Sequence, residues 1–269
     1  MLGFNITPVV KNLLIINIAI FVVQQFDIIP IRDLFSYHYI HSESFKPFQV
    51  ITYMFVHADF GHLLGNMFAL FIFGPMLERT LGQKRFLLMY AVAGLGGGAM
   101  FAALDYYDKF QLEQLAELYL NSPSPETFGN FIREGVGGIS GFRFEYQQAV
   151  KEFAGAFDQN PESSVLIGQG RQIVNDLTYF KLNIPMMGAS GAVYGILLAF
   201  GYLFPNAKLM LLFPPIPIKA KYLVGAYALF EIYGELQRTP GDNVAHLAHL
   251  GGMLFAFLLL KKWGMKALY

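Results

Sequence analysis

A chain of 269 residues with zero formal charge and no cysteine offers no footing for a nucleic-acid partner, a disulfide scaffold or thiol catalysis. It is 55% hydrophobic and only 14% charged, with 27 Phe, 15 Tyr and 27 Gly, more apolar area than one soluble core of this length needs. Segments 86–104 and 184–204 contain no charge at all. Each is long enough to cross a bilayer, which takes about 20 residues, whereas soluble helices carry a polar face.

In chain order the pattern predicts six spans, roughly 8–26, 62–78, 86–104, 184–204, 220–236 and 244–260. The first has its apolar centre at 13–23, ends in Gln24-Gln25 and lacks a small-residue cleavage site, so an uncleaved span is expected rather than a signal peptide. The second opens with His62-Leu-Leu-Gly-Asn66, two polar side chains one helical turn apart. After the third span the composition changes: 105–183 carries Glu113, Glu117, Arg133, Glu134, Arg143, Glu145, Lys151, Glu152, Arg171 and Lys181. Leu112, Leu115 and Tyr119, and again Tyr146, Val150, Phe153 and Phe157, recur at helical spacing. Short amphipathic helices resting on the outer membrane surface or on one another are expected there, broken by Gly and Pro near 121–141 and 155–170. The fold class expected is all-α, a polytopic membrane protein of six transmembrane helices. Its parts are 1–104, the helical outer-loop insertion 105–183, and 184–269.

Positive charges orient the bundle. Lys11, Arg79, Lys84, Arg85, Lys208, Lys219, Lys221, Lys261, Lys262 and Lys266 fall on one side, against Arg32, Lys46 and Arg238 on the other. The richer side is cytoplasmic, so both termini are expected inside. Spans two, four and six then run inward from the outer face.

Those three spans hold the chemistry. The fourth contains Gly188-Ala-Ser190-Gly191-Ala-Val-Tyr194-Gly195 and the sixth Val244-Ala-His246-Leu-Ala-His249-Leu-Gly-Gly252. An ionisable group within a span costs roughly 2.5–3.5 kcal/mol, which makes it a functional candidate. Ser190 and His249 follow the nominal starts of their spans by similar lengths, so at 1.5 Å per residue both are expected roughly 8–9 Å below the outer boundary. Gly191 and Gly195 on one helix, with Ala245, Gly252 and Ala256 on the other, permit close backbone approach. Serine attacks a carbonyl only when a neighbouring base takes its proton, and His249 is the candidate base. No acid lies near it in its own span, so a dyad is expected, with the Tyr194 ring, one turn after Ser190, holding the imidazole. The attacked carbonyl becomes an oxyanion that needs donors; His62, Asn66 and the Ser190 amide are the candidates. Glu231 in the fifth span, after the helix-breaking Phe213-Pro-Pro-Ile-Pro217, is expected near an interface. His246 is expected as a polar neighbour of His249, and His38 and His41 as interfacial loop residues. The His-Glu-xx-His arrangement of zinc peptidases is missing, so no metal is expected, and no cofactor.

These residues resemble the rhomboid intramembrane serine proteases: Gly188-Ala-Ser190-Gly191 with Tyr194, His249-Leu-Gly-Gly252, and His62-xxx-Asn66 preceded by His57, in the family's order and on its second, fourth and sixth spans. The resemblance covers about 45–104 and 184–260. It implies a rhomboid-like six-helix bundle, a Ser190–His249 dyad and an oxyanion site involving His62 and Asn66. It also implies cleavage of single-span membrane protein substrates within the lipid bilayer, near its outer face, with the fifth span and 234–243 mobile as a substrate entrance. Two features depart from the pattern. Phe48-Gln49 stands where many members carry Trp-Arg, which puts that pair's anchoring role in doubt here. Segment 105–183 is far longer than the usual link, and leading into the nucleophile's helix it is expected to influence substrate access. A bacterial inner membrane is the expected location. The rival readings are a catalytically inactive rhomboid-like protein that binds membrane clients, and a small-solute transporter. The latter would need polar residues through both membrane halves, whereas here they cluster at one end.

Overall fold

The computed structural model describes residues 5–26, 28–210, 215–237, 242 and 244–268. Helices α1 (Pro8–Gln24), α2 (Ile31–Phe35), α3 (Gln49–Thr52), α4 (Phe60–Leu81) and α5 (Gln83–Asn121) form the first part. The second comprises α6 (Pro125–Asn130), α7 (Phe144–Gln159) and α8 (Ser164–Leu182). The last comprises α9 (Ser190–Leu203), strands β1 (Lys208–Met210) and β2 (Pro217–Lys219), α10 (Ala220–Gln237) and α11 (His246–Lys262). The small antiparallel strand pair, with Lys208 opposite Lys219, corrects the all-α expectation to mostly helical.

Of the described helices, α4 and α5 are long and apolar enough to cross a membrane by length and composition, and α1 and α9 are shorter apolar helices. The Asp59 carboxylate caps α4 by accepting the His62 amide N–H at 2.9 Å. Gly82, at φ +77°, ends it and lets α5 begin at once. Near the other end of α4 the buried Glu78 carboxylate accepts the amides of Val9 and Val10 at 3.1 and 3.0 Å, so it satisfies the first turn of α1. Of the 14 residues of α9, ten are buried, and the helix packs against α4, α5, α10 and α11 as the centre of the bundle.

Helix ends differ from the expected span bounds at two places. The helix that carries the third expected span does not stop at 104, and α5 runs unbroken to Asn121. At 39 residues it is about 58 Å long, well beyond a hydrocarbon core of about 30 Å. Residues 105–120 contain no Gly or Pro, so polarity changes there without any reason for the helix to stop. The fourth span does not begin its helix at 184. Pro185 and Gly188, the latter at φ +125°, keep 184–189 out of helix, and Met186 exchanges two 2.9 Å backbone hydrogen bonds with Tyr37 of the loop between α1 and α4. Ser190 is therefore the first residue of α9 rather than a residue one and a half turns into it.

The distal part of α5 joins α6, α7 and α8 around a second core of Leu112, Tyr119, Phe128, Phe131, Val150, Phe153, Phe157, Val174 and Leu177. Both stripes read from the sequence point into it, and the Phe128 and Phe153 rings meet edge to face at 4.9 Å. The insertion helices thus rest on one another.

The loop between α1 and α4 is tied down by Gln49. Buried, it accepts the Lys46 amide at 3.0 Å and donates to the Leu34 and Ser44 carbonyls at 3.0 and 2.9 Å. One amide that can both donate and accept does the anchoring at the place where the departure from Trp-Arg left it in doubt.

Candidate active site

Three helices meet backbone to backbone where the polar residues converge. A Cβ on Gly252 of α11 would lie 1.9 Å from the Gly191 carbonyl oxygen of α9, and one on Gly97 of α5 would lie 2.3 Å from the Ala248 oxygen. Gly191, Gly195, Gly252 and Ala256 match the small residues read from the sequence. The α5 contribution was missed, although Gly94-Leu-Gly96-Gly97-Gly98 is a visible small-residue run.

This close approach brings the first residue of α9 to the fourth of α11. Ser190 Oγ and His249 Nε2 are 2.8 Å apart, within hydrogen-bond reach. The Tyr194 ring lies over the imidazole of His249 with centroids 4.1 Å apart and planes 5° from parallel. Stacking fixes the imidazole's plane, and the serine fixes one edge.

The other edge meets a residue from a further helix, outside the span that carries His249. Glu231 of α10, expected near an interface, has a side chain only 1% exposed. It accepts from the Tyr194 hydroxyl and lies 2.6 Å from His246 Nδ1. Its Oε2 is also 2.9 Å from His249 Nδ1, though off the direction in which that ring N–H would point, so the contact is short without being an aligned hydrogen bond. His246, whose Nε2 is 3.1 Å from Asp242 Oδ2, is no mere neighbour but a bridge between two carboxylates. The signal for Glu231 was in the sequence: a lone charge in an apolar run is what singled out the histidines.

Among the described residues, Glu231, His246 and His249 form a set that could offer ligands to a metal, with ligand atoms all within 4.8 Å. Their 2.6 and 2.9 Å separations are those of hydrogen-bonded atoms. A zinc ion would need about 2.0–2.2 Å to each ligand in an open tetrahedron, and so a spread of this cluster.

His62 and Asn66 occupy one face of α4, as their spacing requires. The His62 ring packs on Gly188, where a Cβ would sit 2.5 Å from its Cε1. Glycine is needed there for the positive φ and for this contact alike. Asn66 Nδ2 is buried with no acceptor among the described residues. His57 is fully buried, its ring 5.1 Å from that of His62, and burial pushes its imidazole down to about 4. His57 is therefore neutral at neutral pH. The Asp59 carboxylate is held below the ordinary carboxylate range by the His62 amide it accepts. His38 is a loop residue, as expected, and it is buried, with Nε2 3.0 Å from the Asp33 carbonyl oxygen.

Two cavities adjoin the cluster. One of about 330 Å³ lies between α9 and α10, lined by Tyr194, Leu223, Ala226, Tyr227 and Phe230. The other, about 620 Å³, separates the insertion from α10 and α11, with His246 and Asp242 in its wall. Within the expected entrance 234–243, residues 238–241 and 243 lie outside the described residues, as do Phe213 and Pro214 of the proline-rich stretch.

A rhomboid-domain family model matches residues 44–131 and 163–264, well over half of the chain. The chain belongs to the rhomboid family of membrane proteins. Residues 132–162, which include α7, fall outside the match and lie within the insertion. The chain is similar to RHOMBOID-like protein 12, mitochondrial, of Arabidopsis thaliana, at 28% identity over 94% of this chain and 58% of that protein. It is similar also to Rhomboid protein 1, mitochondrial, of Saccharomyces cerevisiae, at 26% identity over 78% of this chain and 40% of that protein. It therefore spans about half the length of these rhomboid relatives. Their names are mitochondrial, so family membership leads to a membrane but not to a bacterial inner membrane in particular.

Proposed function

We propose that this rhomboid protein is an intramembrane serine endopeptidase that cleaves transmembrane segments of other membrane proteins, with Ser190 as nucleophile and His249 as general base. The observation that carries the reading is the 2.8 Å approach of Ser190 Oγ to His249 Nε2 across two helices, with Tyr194 stacked on the imidazole. A half-buried serine hydroxyl held against an imidazole whose plane is fixed by a stacked ring is the arrangement of a nucleophile whose proton a base can take. The bundle is read as six spans, with 105–183 an extramembrane insertion between the halves 1–104 and 184–269.

In the first half-reaction Ser190 Oγ bonds to the scissile carbonyl carbon while its proton passes to His249 Nε2. The tetrahedral oxyanion is met by Asn66 Nδ2, His62 and the Ser190 amide at the start of α9. The C–N bond then breaks, the leaving amine takes the proton from His249, and an acyl-enzyme remains. Water, deprotonated by the same imidazole, releases the second product and restores the hydroxyl. Neither half requires a metal or a cofactor. The cavity between α9 and α10 is apolar and beside Tyr194, as a pocket for a substrate side chain must be.

The unpaired Asn66 amide supports the oxyanion assignment, since a buried donor left without an acceptor is costly unless a bound species supplies one. Asn66→Ala should lower kcat by about 100- to 1000-fold, measured at saturating substrate. An unchanged kcat would remove Asn66 from the site.

The test of the function is covalent. In proteoliposomes a fluorophosphonate should label Ser190, identified by peptide mass spectrometry, and labelled single-span substrates should be cut within or beside their spans. A folded protein that takes no label and cuts no single-span substrate would favour the inactive client-binding reading.

A further inference from the structure

Of the 18 residues of α10 only Ala220, Val224 and Glu231 are buried. Most of the helix presents apolar side chains outward, among them Tyr222, Leu229, Phe230, Ile232 and Tyr233. In its outer half the one buried side chain is that of Glu231, and it ends against the base of the dyad. Resting on the proteolytic reading above, we propose that Glu231 is a positioning residue for His249, a carboxylate delivered from α10 that holds the imidazole's Nδ1 edge and stabilises the imidazolium formed when Ser190 attacks.

The geometry divides the carboxylate's work. Oε1 takes the Tyr194 hydroxyl, and Oε2 faces both His246 Nδ1 at 2.6 Å and His249 Nδ1 at 2.9 Å. The same tyrosine that covers the face of His249 thus anchors the group at its edge. His246 has a carboxylate oxygen at each ring nitrogen, Glu231 on one side and Asp242 on the other. A neutral imidazole donates from one nitrogen only, so both contacts are satisfied when the ring carries both protons. One cation between two carboxylates leaves a net single negative charge in the cluster, beside the imidazole that becomes positive during catalysis. In a low-dielectric site such a fixed charge acts strongly and need not reorganise when the proton moves.

The short but unaligned contact to His249 belongs to the resting arrangement. Hydrogen bonds of catalytic groups often align only when the reacting charge is in place. With a proton on Nε2, a small rotation brings the Nδ1–H onto Oε2. Glu231 itself stays ionised, and the proton taken from Ser190 leaves on the amine product.

Glu231→Gln keeps the volume and an acceptor for Tyr194 while removing the charge. In proteoliposomes kcat should fall at least about 100-fold with KM within about threefold. The rate of fluorophosphonate labelling of Ser190 should fall in parallel, while the thermal unfolding midpoint in detergent stays near that of the native protein. A folded Glu231→Gln protein with native kcat and labelling rate overturns the proposal and leaves the Ser190–His249 reading standing. Native protein without label or cleavage overturns both. A measurement independent of any variant is the crystal structure of the native protein phosphonylated at Ser190. His249 Nδ1 should then lie within about 3.0 Å of a Glu231 oxygen and in line with it. An imidazole edge turned away from Glu231 in that adduct overturns the proposal as well.

Discussion

Ser190→Ala and His249→Ala should each lower kcat by about a million-fold, and the double variant should lose no more than either alone. The hydroxyl at 2.8 Å from Nε2 is a nucleophile only while that nitrogen takes its proton, so both substitutions abolish one and the same step. Losses that multiplied would mean that the two groups act in separate steps. Binding should survive, because neither side chain contributes much contact surface to a substrate helix, so KM should stay within a few-fold of the native value. Single-turnover cleavage in proteoliposomes is the appropriate measurement, since it separates chemistry from product release. Cleavage persisting at the native rate in Ser190→Ala would mean that a different nucleophile is at work. Neither variant should unfold. Ser190 heads α9 without capping it, and alanine at His249 removes only an edge contact and a stacked ring from a helix already anchored through Gly252.

The groups of the candidate site were legible because polar residues are conspicuous in apolar runs. Ser190, His249, His62 and Asn66 could be singled out one by one, and small residues beside two of them argued for close helix contact. Their arrangement was legible only in part. Reading 184–204 as one helix put Ser190 more than a turn too far along it, because a charge-free run shows where lipid can be, not where φ and ψ turn helical. Pro185 and Gly188 were the marks of that boundary. At 104 a change in polarity is not a helix end, because residues 105–120 hold no Gly or Pro to break the helix. Glu231 shows a different limit. It is 18 residues from His249 in sequence, on a neighbouring helix, and its carboxylate reaches the imidazole only because α10 and α11 run side by side. Periodicity can place a residue on a face, but which faces meet depends on packing that no local pattern records. Gln49 was a departure from the family pattern, and only the loop carbonyls around it reveal that it takes up the anchoring.

Gly252→Ala should cost both activity and stability, although it adds one methyl group. The new Cβ would lie 1.9 Å from the Gly191 oxygen and 2.7 Å from its carbonyl carbon, both backbone atoms that no rotamer change can move. The α9 backbone is packed just as closely on α5, where a Cβ at Gly195 would be 2.4 Å from that of Ala93, so a shift of α9 disturbs a second helix contact. Relief of the clash therefore separates the α9 and α11 backbones by about 1 Å, the scale at which overpacking costs about 1–3 kcal/mol. Gly191 is next to Ser190, and Gly252 is one turn from His249, so the displacement is passed almost undiminished to the 2.8 Å hydrogen bond. A misplacement of about 1 Å between reacting groups can cost about 100-fold in rate. The variant should accordingly label with fluorophosphonate at least about 100-fold more slowly and unfold at a lower temperature. Gly225→Ala is the matched control: it lies inside α10, and a Cβ there meets nothing within 4 Å. Alanine at that site should stabilise by about 0.5–1 kcal/mol, because glycine is the poorer residue in a helix interior. If Gly252→Ala matched Gly225→Ala in labelling rate and unfolding midpoint, the backbone contact of α9 with α11 would not be what holds the hydroxyl against the imidazole.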